Sequence, residues 1–225
     1  MGDRLYDHLE KRRAIALERV KQLDATLVIQ HDHQEIMAAL LEEYIPKALE
    51  IDFAKEQLLG MNEVEFDVSR NTNFLLQSGR GPKTAPGFRY EVAVPFTGDP
   101  ELLSLRPSRE LSHVKAEAFL RGDHLVLIVD TFSPDVGQVQ QVLDQQRRFL
   151  QNYAAFVAED ISAFRTRLQS VLYEALAARR ERLRQAITVQ QQLGIPLYRN
   201  PDAPEPAPVV RKPLGLKPGS TDLIG

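Results

Sequence analysis

From Val136 onward every seventh residue is apolar, through Leu143, Leu150, Val157, Phe164, Val171 and Ala178, and Val139, Phe149, Tyr153, Phe156, Ile161, Leu168, Leu172 and Leu176 widen that stripe. A segment with this period folds as a helix that buries one side along its length. Ser133, Pro134 and Asp135 supply its start: a capping hydroxyl, a proline at the first helical position and an acid facing the positive end of the macrodipole. The pattern continues through Leu183 and Ile187 to Gly194, where Gly, Ile195 and Pro196 form a stop of the Schellman kind. At 1.5 Å per residue the unbroken helix is about 90 Å long. Asp160 marks the place where it would divide into two helices in series. Such length exceeds the needs of a compact globule and predicts a stalk or hairpin formed with a second helix.

The N-terminal segment offers that second helix. Leu9, Ala16, Val20, Leu23, Leu27, Met37, Leu41 and Tyr44 keep a three-four alternation that predicts one long helix from about Asp3 to Pro46. A division is the alternative, since Thr26–Ile29 loosens helix propensity and Asp32 with Glu35 forms a capping box. Residues 47–59 predict a short further helix closed by Gly60.

The period then changes to two. Val64, Phe66 and Val68 alternate with Glu63, Glu65 and Asp67, as on a strand with one buried face. Residues 77–87 hold Gly79, Gly81, Gly87, Pro82 and Pro86 and read as a loop. Tyr90, Val92, Val94 and Phe96 give another strand, Leu103 and Leu105 a short one, and Val114–Leu120 with Leu125–Val129 a hairpin around a Gly122–Asp123 type II′ turn. The run Leu125–Val129 is apolar on both faces and belongs inside the sheet. The expectation is an α+β fold: long N-terminal and C-terminal helices with an antiparallel sheet of about five strands inserted between them. Residues 1–197 form this module. Residues 198–225 read as a disordered Pro-rich tail or linker, since the stretch from 196 holds seven of the chain's 14 Pro.

Composition narrows the chemistry. The absence of Cys excludes disulfides, thiol nucleophiles and Cys-ligated zinc or iron–sulfur clusters. With 28 Lys and Arg against 31 Asp and Glu, the net charge of -3 argues against a protein built around sequence-independent nucleic-acid binding. Nothing approaches a membrane span or a signal peptide, so the expected setting is cytoplasmic, without membrane. Of the five His, only His31 and His33 are close, and on a helix they diverge by roughly 200° and cannot share a metal. Glu63, Glu65 and Asp67 share a strand face but read as its wet side; no metal, cofactor or catalytic residue is assigned. The loop Gly79–Thr84 lacks the glycines and following helix of a phosphate-binding loop. Arg80, Lys83 and Arg89 there, and Arg179, Arg180, Arg182 and Arg184 on the long helix, are the candidate contacts for nucleic acid or an acidic partner. The arginines on the helix also complement its negative C-terminal end.

Three strings together carry a resemblance: VEFDVSRN at 64–71, VPFTGDPELLSLRPS at 94–108 and ARRERLRQ with LGIPL between 178 and 197. Residues 1 to about 197 resemble the N-terminal module of a family of largely uncharacterised bacterial proteins. In that family the module precedes a variable effector domain, often restriction-endonuclease-like, with suspected roles in defence against phage. The resemblance implies a sensing, assembly or regulatory part and carries no catalytic residue. The Pro-rich tail sits where a linker to such an effector is expected. Three functions follow as expectations: a non-catalytic module that self-associates or binds an effector protein; a nucleic-acid-binding accessory; and a metal-dependent hydrolase using Glu63, Glu65 and Asp67.

Overall fold

The structure, a computed structural model, describes residues 3–68, 84–109 and 118–193. The chain is an α+β protein. Its elements are α1 (Leu5–Gln22), α2 (Ala25–Gln30), α3 (His33–Tyr44), β1 (Glu50–Ile51), β2 (Gln57–Asp67), β3 (Thr84–Thr97), β4 (Ala118–Arg121), β5 (His124–Thr131) and α4 (Val136–Leu193), with 3-10 turns at Phe53–Lys55 and Pro100–Ser104. Two compact units arise: Met1–Leu5 with Lys47–Asp160, and Tyr6–Pro46 with Ile161–Gly225. Among the described residues no helix is long and apolar enough to cross a membrane.

The first unit is built on an antiparallel sheet of order β1-β3-β5-β4, with β2 also paired to β3. β3 is its axis: β5 pairs along Phe88–Pro95, while β2 pairs along Thr84–Ala93 and β1 takes over at Phe96 and Thr97. The two prolines of β3 fall where the ladder has only one side. Pro86 precedes the pairing with β5, and Pro95 occupies the step between β2 and β1. The loop expected to run to Gly87 ends earlier, because β3 already begins at Thr84; residues 77–83 lie outside the described ones. As expected, Leu125, Val126, Leu127 and Val129 of β5 are buried, because β5 lies between β3 and β4. Gly122 has φ +63° and Asp123 is not in the positive region, which is the type II′ pattern the hairpin requires. The segment 110–117, including the expected start of that hairpin at Val114, lies outside the described residues.

Other local expectations are corrected. Residues 47–59 form no α-helix: β1, a 3-10 turn capped by the Asp52 carboxylate and the start of β2 occupy them, and Gly60 sits at a register shift inside β2. Leu103 and Leu105 form no strand, because Asp99-Pro100 starts a 3-10 turn that buries Leu102. Gly98, at φ +103°, makes the preceding turn, where a side chain would collide with the Ala48 carbonyl. α4 begins after Asp135, whose carboxylate accepts the Gly137 N–H at 2.9 Å; Ser133 does not cap it, since its carbonyl receives the Thr131 hydroxyl at 2.7 Å. No break occurs at Asp160, whose carboxylate takes the Ser108 N–H at 2.8 Å.

Nor is the N-terminal helix continuous. Asp24 accepts the N–H of Thr26 at 2.8 Å and Asp32 that of Gln34 at 2.7 Å, so each starts a new helix and the chain divides into three. The α4 stripe also departs from seven. Its buried side chains are Gln146, Leu150, Tyr153, Val157, Ile161, Phe164, Leu168, Leu172 and Leu176, and among them residues eleven apart share the stripe: Gln146, Val157 and Leu168, or Leu150, Ile161 and Leu172. A helix of 3.6 residues per turn drifts about 20° per heptad, hence about 60° over three. Val136, three heptads before Val157, is 69% exposed, and Ala178, three heptads after it, is exposed too.

Candidate functional site

The second unit collects the arginine cluster. The Arg167 guanidinium lies 5.7 Å from the centre of the Tyr6 ring, and Arg179 meets Lys21, so α1 runs in the same direction as α4. The chain then reverses, because Arg180 meets Val28 and His31 of the next segment while His33 meets Tyr173.

Each helix end leaves carbonyls without intrahelical partners. Two arginines of α4 take up those of α1 and α2. Arg179 donates from Nη1 to the Lys21 carbonyl and from Nη2 to that of Leu23. Arg180 donates from Nε to the Val28 carbonyl at 2.8 Å and from Nη2 to that of His31. These positive groups stand at the negative ends of α1 and α2, where charge and hydrogen bonding act together. The expectation that the cluster serves the end of α4 itself is therefore corrected: Arg179–Arg184 precede Leu193 by several turns, and the last turn of α4 holds no basic residue. Beside them the His33 ring meets Tyr173 edge-on at 4.6 Å, and its Nε2 is buried without a hydrogen-bond partner. Burial, then the Arg180 charge, holds the His33 pKa below its ordinary value against the opposing pull of Asp32.

Between α1 and α4 runs a groove of about 570 Å³. Leu17, Val20, Ala175, Ala178 and Leu183 form its apolar floor, and Lys21, Arg179 and Arg182 are its charged members. Among the described residues no carboxylate lines it. Lys21 holds Glu18 at 3.0 Å as an exposed pair, while Arg182 is exposed and bonds back to the Ala178 carbonyl at 3.3 Å. Past the groove every α4 residue from Arg184 to Leu193 is exposed, Ile187, Val189 and Leu193 among them.

The remaining candidates lie elsewhere. Arg80 and Lys83 are outside the described residues. Arg89 is engaged in the first unit, where it grips Asp130 through two hydrogen bonds of 2.8 and 2.7 Å across the β3–β5 pair. Arg184 stays exposed, and its carbonyl receives the Thr188 hydroxyl at 3.0 Å. Glu63, Glu65 and Asp67 are exposed on β2, with Val64 and Phe66 half-buried and Val68 buried, as the alternation predicts. His31 approaches Glu35 at 3.7 Å and His124 approaches Asp123 at 2.6 Å. Among the described residues no three His, Asp or Glu side chains are grouped to hold a metal ion.

The first unit has its own recess of about 280 Å³, walled by Leu120, Leu125, Phe149, Leu150 and Tyr153. Its polar groups are engaged. The Tyr153 hydroxyl sits between the carbonyls of Leu102 and Leu105, 2.5 Å from the latter, and burial pushes its pKa up to about 12. The Ser104 hydroxyl donates to the Glu101 carbonyl at 2.8 Å. Nearby, Arg147 ties Glu56 to Asp144, at 2.7 Å from the latter.

Comparison with known proteins adds no assignment: no family model, no curated protein and no solved structure matches the chain.

Proposed function

We propose that the chain is a non-catalytic interaction and assembly module that regulates an effector. The observation that supports this reading is the far part of α4, where a helical segment with exposed Ile187, Val189 and Leu193 extends beyond the side chains that pack against α1. A helix without tertiary packing is marginal in water, so such a segment gains from a partner that covers its apolar side chains. The resemblance of residues 1–197 to the front module of effector-bearing bacterial proteins supports the same reading and suggests antiphage defence as its setting. A photo-crosslinking amino acid at Ile187, introduced in the source cell, tests it. The expected result is a discrete protein adduct that a crosslinker at Asp123, on the β-hairpin tip, does not give. Equal labelling from both positions would sink the reading.

A nucleic-acid-binding accessory is the second reading, favoured by six Arg against two Glu in residues 161–193. Arg179 and Arg180 are spent on main-chain carbonyls, which leaves Arg182 and Arg184 as the open cations of the cluster. Binding to duplex DNA or RNA that falls steeply with salt and disappears in Arg182→Glu/Arg184→Glu would favour it.

A further inference from the structure

We infer that the groove between α1 and α4 receives an acidic amphipathic helix of a partner protein. This rests on the interaction reading and specifies its occupant. Three observations carry it. The floor is apolar and includes Ala175 and Ala178, whose small side chains let another helix approach closely. The charged lining, among the described residues, is Lys21, Arg179 and Arg182; Lys21 is shared with Glu18 and Arg179 with two main-chain carbonyls, so Arg182 supplies the open positive charge beside the apolar floor. The stripe then continues past the groove, since Leu183 and Ile187 are separated by one turn and Ile187 is exposed. A groove alone would fit a compact ligand; a groove continued along a bare helix fits an elongated one whose own apolar side chains repeat every three or four residues.

Charge also discriminates among occupants. Residues 23–46 hold Asp24, Asp32, Glu35, Glu42 and Glu43 and no Lys or Arg, so α3 of a second copy has the complementary sign. Its exposed positions, Gln34, Glu35, Ala38, Glu42 and Glu43, include no large apolar side chain to fill the floor. Nucleic acid matches the cations but gains nothing from Leu17, Val20 and Leu183. A helix carrying Leu or Met on one side and Glu or Asp along its margins satisfies both demands.

The test uses the full chain and a panel of fluorescein-labelled peptides of about 21 residues, helical in register, with Leu and Ala on one face and Glu on its borders. Fluorescence anisotropy is expected to show saturable binding that weakens at least tenfold between ~50 and ~500 mM NaCl and is absent for the same peptides with Lys in place of Glu. Ala178→Arg fills the groove without removing charge, and Arg182→Glu reverses the margin without filling it. Both positions are exposed, so the fold tolerates the changes, which circular dichroism checks. Each variant is expected to weaken binding at least tenfold. The inference is overturned if no peptide binds below about 1 mM, if the Lys peptides bind equally, if duplex DNA displaces the acidic peptides, or if sedimentation shows the chain occupying the groove with its own second copy. Should the peptides fail while the Ile187 crosslink persists, the occupant is wrong and the interaction reading stands.

Discussion

Arg180 places one guanidinium on two carbonyls, those of Val28 and His31, at the end of α2. A helix of six residues has too few internal bonds to hold its own end, so this contact from α4 substitutes for the missing turn. Truncation leaves those carbonyls without their charged donor. Arg180→Ala is expected to lower stability by about 2–3 kcal/mol, read as a shift of the urea midpoint, and Arg180→Lys to recover only part of it because one ammonium does not reproduce the fork. If Lys restores the midpoint fully, the two-carbonyl geometry is irrelevant. His33 supplies the pH dependence of the same junction. Its pKa is lowered in the folded state by burial and by Arg180, so the folded form binds fewer protons than the unfolded chain. The sign follows: stability is fully present above the unfolded histidine value near 6.5 and is lost as pH falls below it. Between about pH 7.5 and 5.5 the native chain should lose more of its urea midpoint than His33→Gln; equal losses would assign the effect to other groups.

At the scale of elements, much of the fold was legible because alternation and turn chemistry act locally. Val64, Phe66 and Val68 against Glu63, Glu65 and Asp67 announced β2, and Gly122-Asp123 announced the β4–β5 hairpin. Failures share a different cause: competing local signals of similar strength. Asp32 with Glu35 offers a capping box inside an apolar stripe that runs on past it, Asp24 caps a further helix that this pattern does not show, and two arginines more than 140 residues away complete the helix ends so created. Nothing adjacent in sequence reveals that pairing; consecutive arginines in a stripe that is otherwise apolar were the only signal. The 3-10 turn at Pro100–Ser104 was likewise hidden, since Leu103 and Leu105 alternate as a strand would. Its carbonyls are fixed by Tyr153 from α4. Tyr153→Phe is expected to cost about 1–3 kcal/mol, as the Leu105 carbonyl loses the hydroxyl and the Leu102 carbonyl keeps only the Leu105 N–H. The same substitution removes the phenol titrating at about 12 from an ultraviolet pH titration. Loss of the titration step without loss of stability would show that the turn holds itself.

For the whole molecule, α4 is continuous while the packing around it is not. Residues up to Asp160 belong with the sheet and those from Ile161 with α1–α3, and each part of α4 buries its own set of side chains. A seven-residue reading gives one uniform coiled-coil seam. An eleven-residue step, about 3.67 residues per turn, lies closer to the 3.6 of an α-helix than a seven-residue step does, and the sheet and α1–α3 each bury their own part of α4. Deletions in the two cores should therefore be felt separately. Leu168→Ala and Val126→Ala both open fully buried sites, with an expected cost of about 2–5 kcal/mol for the leucine and less for the smaller valine. Hydrogen exchange resolves where that cost appears. Leu168→Ala should first release amides of α1, α3 and α4 beyond Ile161 while β3 and β5 keep their protection, and Val126→Ala should do the reverse. Equal release of both sets by either variant would mean one cooperative unit, in which the helix couples the two cores strongly enough that neither opens before the other.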